Sequence, residues 1–434
     1  MARPHTKRCI GSTILLCLCL GMALPVYAQE NEVDTTRTEE QEPYKKTAGE
    51  VLVAIPGQIL LIPVRILEGI AWGTIKLYEQ PATQYLLQFE SPRVFGAYPV
   101  AGYGSNPGLK LGLVLYNNRL LRDHDRFRIK GTYSTHKYQH YEAYYRSRRL
   151  RDAGLGFQVL ARYRKRPRES FYGFGQESSA DEEVNFTKEI SYFRGDLAWQ
   201  FGSSINIDGQ VSYSAINISD GQDPNLPGDI DSILVMYGGT PADVRPTRFW
   251  TFGLNLLWDA RNVRGQPTRG WYGTLGTSYN RGVDKSPDLE YWRTRLDLRY
   301  YLELFRKRTL ILRGLVNLVD KPSDAPDLPF YLFSDLGGLD DLRAYRTNRL
   351  VDHDAVFGMA EYRYPIWDVI DAFVFFEAGH VYEKIGDEFS LRGWRTSYGF
   401  GFQTWHPESV LARTQVAFGA EGVRFYFELG TQLP

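Results

Sequence analysis

Strict alternation of apolar and polar residues, in segments of roughly ten to fifteen residues, dominates this chain from about residue 94 onward and restricts what it can fold into. From 205 to 215 one face reads Ile205, Ile207, Gly209, Val211, Tyr213 and Ala215, and the other Asn206, Asp208, Gln210, Ser212 and Ser214. From 291 to 304, Trp292, Leu296, Leu298, Tyr300, Leu302 and Leu304 alternate with Arg293, Arg295, Asp297, Arg299 and Glu303. Near the end Val423, Phe425, Phe427 and Leu429 alternate with Arg424, Tyr426 and Glu428. Successive strand residues point to opposite faces, so each segment has one apolar and one wet side. The wet sides are dense in charge and the apolar sides end in aromatics. That is the pattern of a hydrated lumen behind a lipid-facing wall with interfacial girdles.

The periodicity predicts strands near 94–103, 108–118, 123–136, 138–149, 154–164, 187–201, 203–217, 247–260, 270–281, 290–304 and 308–319. Five more are predicted near 353–365, 370–382, 390–405, 409–420 and 421–430. The long connections, 165–186, 218–246 and 320–352, all run from an odd to an even strand, so they gather at one end. A soluble sandwich or propeller has no reason to sort its loops this way; a membrane barrel with short inner turns and long outer loops does. The predicted fold is therefore all-β and transmembrane: an antiparallel outer-membrane barrel of about sixteen strands over 94–434. Composition agrees. Aromatics make up 14% of the chain, yet mean hydropathy is −0.35, and after Leu24 no run of eighteen uncharged apolar residues occurs. A chain that crosses lipid without such a helix must satisfy its backbone between strands in a closed sheet.

The amino end reads differently. Lys7 and Arg8, the apolar run from Ile14 to Leu24 and the small residue at Val26-Tyr27-Ala28 predict a signal peptide over 1–28. Cys9, Cys17 and Cys19 all fall inside it, so the mature chain is expected to hold no disulfide, thiolate metal site or cysteine nucleophile. Residues 29–48 are charged and poor in apolar side chains, the composition of a flexible linker. Over 49–80, Leu52, Ile55, Ile59, Ile62, Ile66, Ile70 and Leu77 recur at mostly three- and four-residue spacing, which predicts an amphipathic helix interrupted at Pro63. Such a helix can lie at the membrane interface, plug the barrel mouth or simply pack on the barrel.

Three ordered motifs go beyond a generic barrel. Asp259-Ala-Arg261 precedes Pro267-Thr-Arg269-Gly270; the long loop carries Gly337-Gly338-Leu-Asp-Asp-Leu-Arg343-Ala344-Tyr345-Arg346. Gly358-Met-Ala-Glu361-Tyr362-Arg363-Tyr-Pro365 then leads to Phe375-Phe376-Glu377-Ala378-Gly379-His-Val381-Tyr382. Together they resemble the bacterial surface antigen domain of the BamA/TamA assembly and translocation superfamily, over about 94–434 and most strongly from Trp258 onward. Phe171-Tyr172-Gly173-Phe174-Gly175 also looks like a recurrent segment of that family. The resemblance implies that Arg343 folds into the lumen and pairs with Glu361 and Glu377, with Gly337, Gly338, Ala344 and Tyr345 shaping the loop. Glu361 shares strand parity with Arg363 and the lumen face, and a guanidinium between two carboxylates is a sound anchor. This chain departs from the family pattern with Ala344 in place of a glycine and with Leu433-Pro434 in place of a terminal aromatic.

The resemblance implies a role in assembling or translocating outer-membrane proteins, with outer-membrane lipid, nascent barrel proteins and assembly components as partners. Assembly members carry POTRA modules ahead of the barrel. The roughly sixty-five residues between Gln29 and the first predicted strand show no strand–helix–helix–strand pattern, so a barrel-only member is expected. The alternative is a passive transport or structural barrel that has lost the assembly role. No Gly-x-Ser-x-Gly or His-Glu-x-x-His motif occurs, and no enzyme or cofactor is expected. Asp123-His124-Asp125 and Asp352-His353-Asp354 hold metal-ligand types but sit at turns, where solvated charge is commonplace. Net charge is zero, which argues against nucleic acid; the basic run Arg162–Arg168 is placed at the outer strand end, facing lipopolysaccharide phosphates or bare solvent.

Overall fold

A computed structural model describes residues 94–429, apart from 105–106, 121–124, 148–154, 230, 234–244, 264, 285, 287, 305–306, 324, 368 and 407–408. The signal peptide, linker and amphipathic segment expected over 1–80 lie outside the described residues, as do Asp123 and His124.

Sixteen strands form one antiparallel sheet in sequence order. The first seven are β1 (Phe95–Gly104), β2 (Gly108–Asn117), β3 (Arg126–Ser134), β4 (Gln139–Ser147), β5 (Leu155–Phe171), β6 (Val184–Phe201) and β7 (Ile205–Asp220). They continue as β8 (Thr247–Asp259), β9 (Gly270–Gly282), β10 (Glu290–Glu303) and β11 (Thr309–Asp320). A hairpin of two three-residue strands, β12 (Ser334–Leu336) and β13 (Leu350–Asp352), lies in the long connection that follows. The wall resumes with β14 (Asp354–Trp367), paired to β11, then β15 (Ile370–Tyr382), β16 (Arg395–His406), β17 (Ser409–Gly419) and β18 (Gly422–Leu429).

The alternation decides which face meets lipid. Leu111, Leu113, Phe193, Leu197, Phe252, Leu254, Val374, Phe376, Val423 and Phe425 all stand outward and exposed, while their strand neighbours of opposite parity line the interior. In water these exposed rows would be a liability; in hydrocarbon they are the solvated surface.

Two connections are shorter or more ordered than the residue pattern predicts. β5 continues to Phe171 and β6 begins at Val184, so the predicted loop 165–186 shrinks to 172–183. Charge and Pro167 mask the strand in the sequence. The sheet accommodates that proline by a register shift between Arg166 and Glu169, where a missing N–H breaks no ladder bond. The run Arg162–Arg168 is thus within the wall and not at a strand end. The loop 320–352 is the second case: it folds back into the barrel around the β12–β13 hairpin.

Among the described residues, the sheet is not closed by hydrogen bonds. β1 pairs only with β2 and β18 only with β17, although β1 and β18 run within 8 Å of each other at their Cα atoms. Strands are short beside this seam, 10 residues in β1 and 8 in β18, against 17 and 18 in β5 and β6.

Candidate functional site: an arginine-anchored loop in the lumen

The long loop enters the barrel because its backbone turns sharply at two glycines. Gly337 and Gly338 adopt φ of 122° and 107°, which L side chains rarely reach. A Cβ on Gly337 would stand 2.0 Å from the Arg346 carbonyl oxygen, so this position tolerates no other residue without moving the loop. Asp341 then folds the turn together, accepting hydrogen bonds from the Gly337 N–H (2.6 Å) and the Leu342 N–H (2.9 Å). The Gly338 N–H donates to the Tyr345 carbonyl at 3.1 Å. Burial pushes the Asp341 carboxyl up to about 7, and the neighbouring Asp335 charge adds to that rise.

These turns deliver Arg343 to the inner wall, where it is almost completely buried. Its Nε donates to Glu377 Oε1 at 2.5 Å and its backbone N–H to Glu377 Oε2 at 2.9 Å. Nη1 donates to Gln415 on β17 at 2.7 Å and lies 3.7 Å from Glu361 Oε2. The guanidinium carbon sits 3.5 Å from the centroid of the Phe375 ring, a stacked cation–π contact. The backbone is held as firmly. Tyr426 on β18 donates its hydroxyl to the Arg343 carbonyl at 2.8 Å, and the Ala344 N–H donates to the Ser397 hydroxyl at 3.1 Å.

Arg343, Glu361 and Glu377 therefore come together, and the cluster is larger than the three residues the motifs suggested. Glu361 receives Arg413 Nη2 at 2.6 Å and Arg363 Nη2 at 3.1 Å, both closer than Arg343. Three guanidiniums share two carboxylates in a nearly dry site, tied to β14, β15 and β17 at once. Arg413 was missed although it shares parity with Gln415, because parity does not say which lumen residue on another strand lies opposite. Arg349 was missed too. Buried in the same loop, it donates to Glu421 at 2.7 Å and to the Ser178 carbonyl at 2.7 Å, and it lies over Tyr172.

Ala344 and Tyr345 are both fully buried in an apolar cluster with Leu336, Leu342, Leu350, Phe357, Phe373 and Ala417. The departure at 344 has a structural counterpart. A Cβ added to Gly419 of β17 would stand 2.6 Å from the Ala344 Cβ, so the glycine that permits close approach lies on the wall instead of in the loop.

Above the anchor, the segment Phe171–Gly175 closes over the long-loop end. Phe171 packs 4.6 Å from Phe330 and Phe174 5.2 Å from Phe333, centroid to centroid, within a buried cluster that includes Phe186, Phe249, Tyr291 and Tyr331. Gly173 and Gly175, both at positive φ, shape that turn. The first motif also forms a local brace. Arg261 donates twice to Asp259, at 2.8 and 2.9 Å, and stacks on Tyr272, while Arg269 pairs with Glu303 at 2.6 Å. Of the acidic triplets, Asp125 accepts from the Tyr145 hydroxyl at 2.5 Å. Asp354 accepts from the N–H groups of Val319 and Ile385 at 3.1 and 3.0 Å, so both carboxylates serve the strand ends.

Comparison with known proteins agrees with this architecture. Residues 123–433 match the Omp85 superfamily domain. The crystal structure of BamA from Haemophilus ducreyi lacking POTRA domains 1–3 superposes with a TM-score of 0.59 at 13% identity, over 79% of this chain and 70% of that one. CdiB from Escherichia coli superposes with a TM-score of 0.50 at 13% identity, over 77% of this chain and 61% of that one. Those identities speak to the fold alone. No curated protein matches the chain. With a family match across most of its length and a sixteen-stranded wall, the chain belongs to the Omp85 superfamily of outer-membrane barrels.

Proposed function

We propose that this barrel assists the insertion or translocation of polypeptides at the outer membrane by offering the edge of β1 to an incoming strand. The observation that carries this reading is the seam: β1 and β18 lie side by side without a ladder between them. An unpaired strand edge in hydrocarbon leaves N–H and C=O groups unsatisfied at several kcal/mol each, which makes it a template for any strand that can pair. Strand addition supplies main-chain hydrogen bonds without demanding a particular sequence. β1 is suited to exchange, because Pro99 has no N–H to donate and Gly96 contributes no side-chain packing. The short strands beside the seam give a lower apolar wall there, so the bilayer is thinner where a client would enter.

The anchored loop and the aromatic cap fill much of the interior, which weighs against a passive channel. They also brace the barrel while its seam is unzipped, since the loop ties β14, β15, β17 and β18 together independently of the ladder. The test is photo-crosslinking in cells, with reactive residues placed singly at positions 95–103 and, as control, at outward positions of β6 and β7. Adducts with nascent outer-membrane proteins from the β1 sites alone are expected. Equal labelling at β1 and control sites would sink the proposal.

A further inference from the structure

We infer that the lumen face of β2–β5 is a binding wall for multivalent oxyanions, phosphates above all. Elsewhere in the lumen the arginine clusters meet carboxylates or neutral acceptors: Arg194 meets Asp196 at 2.5 Å, Arg313 and Arg299 meet Asp297 at 2.7 and 3.2 Å, the loop anchor meets Glu361 and Glu377, Arg293 donates to the Leu332 carbonyl and Arg295 to Asn317. The β2–β5 sector breaks this pattern. Glu142 at mid-height pairs with Arg162 at 2.8 Å, and Glu169 at the long-loop end pairs with Arg166 at 3.3 Å. Among the described residues, Lys110, Arg128, Lys130, Arg146 and Arg164 have no ion-pair partner.

Register places these side chains on one surface. Lys130 lies directly across from Glu142, which lies across from Arg162, and Arg128 and Arg164 flank this row above and below on the same face. Lower down, Arg126 stands directly opposite Arg146. The opposite parity settles which way the charges face: Leu111, Ile129 and Tyr141 are exposed outward to lipid. Among the described residues, the folded loop packs on the far side, from β11 to β18, and not on the middle of this wall.

Spacing then selects the ligand class. Neighbouring cations stand about 6.7 Å apart along a strand, and those of β3 and β5 stand about 10 Å apart across β4, a spacing suited to several anionic groups at once. Guanidinium forks bind phosphate oxygens bidentately, in charge-assisted hydrogen bonds. A water-soluble oligophosphate is the suitable probe, because a lipid phosphate held in a micelle stays outside the wall.

Isothermal titration of the detergent-solubilised full chain tests this, with inorganic tripolyphosphate as probe and phosphatidic acid micelles as a second arm. Wild-type protein should bind tripolyphosphate at low salt and lose about tenfold in affinity at high salt, as screening requires. The combined variant Arg128→Ser, Lys130→Ser, Arg164→Ser should bind at least about tenfold more weakly, a loss of about 1.4 kcal/mol. Glu142→Gln removes the one carboxylate at mid-wall and should tighten binding, a gain that misfolding cannot imitate. Absence of tripolyphosphate binding, equal affinity in all three proteins, or binding confined to the micelle arm would each overturn the assignment.

Discussion

Replacing Arg343 with alanine tests the loop anchor most directly, and the geometry sets how large the effect should be. The substitution removes the 2.5 Å bond to Glu377, the 2.7 Å bond to Gln415 and the stacking on Phe375. Breaking a buried pair by deleting one partner costs about 3–5 kcal/mol, because the other charge is left uncompensated. Two features here hold the value to the low end of that range. The backbone N–H of residue 343 still reaches Glu377 at 2.9 Å, and Glu361 keeps both Arg413 and Arg363. We therefore expect about 3 kcal/mol of loop-docking free energy to be lost, which raises the undocked population on the order of a hundredfold. Limited trypsinolysis of folded barrel reads this population when the loop recloses faster than it is cut. Cleavage after Arg346 and Arg349 should accelerate by that factor, while the barrel keeps its heat-modifiable mobility at low temperature and loses it at a lower temperature than wild type. Adding Glu377→Gln removes the orphaned charge, so the double variant should be less damaged than the sum of its singles. Wild-type cleavage and melting in Arg343→Ala would refute the anchor and reduce the arginine to a passenger.

Other consequences are as specific. Glu361→Ala should destabilise the barrel more than Arg413→Ala, since it leaves three guanidiniums around one carboxylate; thermal gel-shift midpoints rank the two. Gly337→Ala should cost about 1–3 kcal/mol or more through a forced left-handed residue and a 2.0 Å contact, whereas Gly358→Ala, which meets nothing within 4 Å, should be near neutral by the same assay. Gly419→Ala should loosen the loop, and Ala344→Gly should largely restore it, because the contact under 3 Å is between those two Cβ atoms. The raised Asp341 carboxyl predicts a pH dependence. Docking is strongest where the group is protonated in both states, below its ordinary carboxylate range, and weakens as pH rises through about 7; loop proteolysis should therefore be slower at pH 5 than at pH 8, and Asp341→Asn should flatten the profile.

The strands were readable because a barrel wall demands the same thing at every level: period-two alternation sets the face, and turn length sets the end. All sixteen wall strands lie where alternation predicts them. It failed only where sequence and face conflict, at the charged, proline-bearing end of β5. There the charges of Arg166 and Glu169 read as loop, yet a hydrated lumen accepts them as wall. The interior was legible only in part, for a different physical reason. Arg343 pairs with residues 34 and 72 positions away, and which lumen side chains meet is fixed by the register of five successive ladders. A motif can point to an arginine and two glutamates, but Arg413 and Arg349 enter the site through strand register and loop path, which no local pattern encodes.

That division bears on how the barrel could work. A wall held only by ladder bonds would have to lose stability wherever it opened, since each unpaired backbone group in lipid is costly. Here the strands nearest the seam carry a second set of bonds, from Tyr426 and Arg424 of β18 to the backbone of residues 343 and 344, and from Glu421 to Arg349. These bonds point inward, away from the edge that a client would use, and so survive when the β1–β18 contact is lost. The anchor thereby separates two properties that a plain barrel cannot separate, a stable β18 and a yielding seam. It follows that Tyr426→Phe and Arg424→Ala should leave strand pairing intact but widen the range of β18 motion. Spin labels at positions 423 and 99 would report this as a broader distance distribution than in wild type. An unchanged distribution would mean that β18 is held by its ladder with β17 alone, and that the loop contributes nothing to the seam.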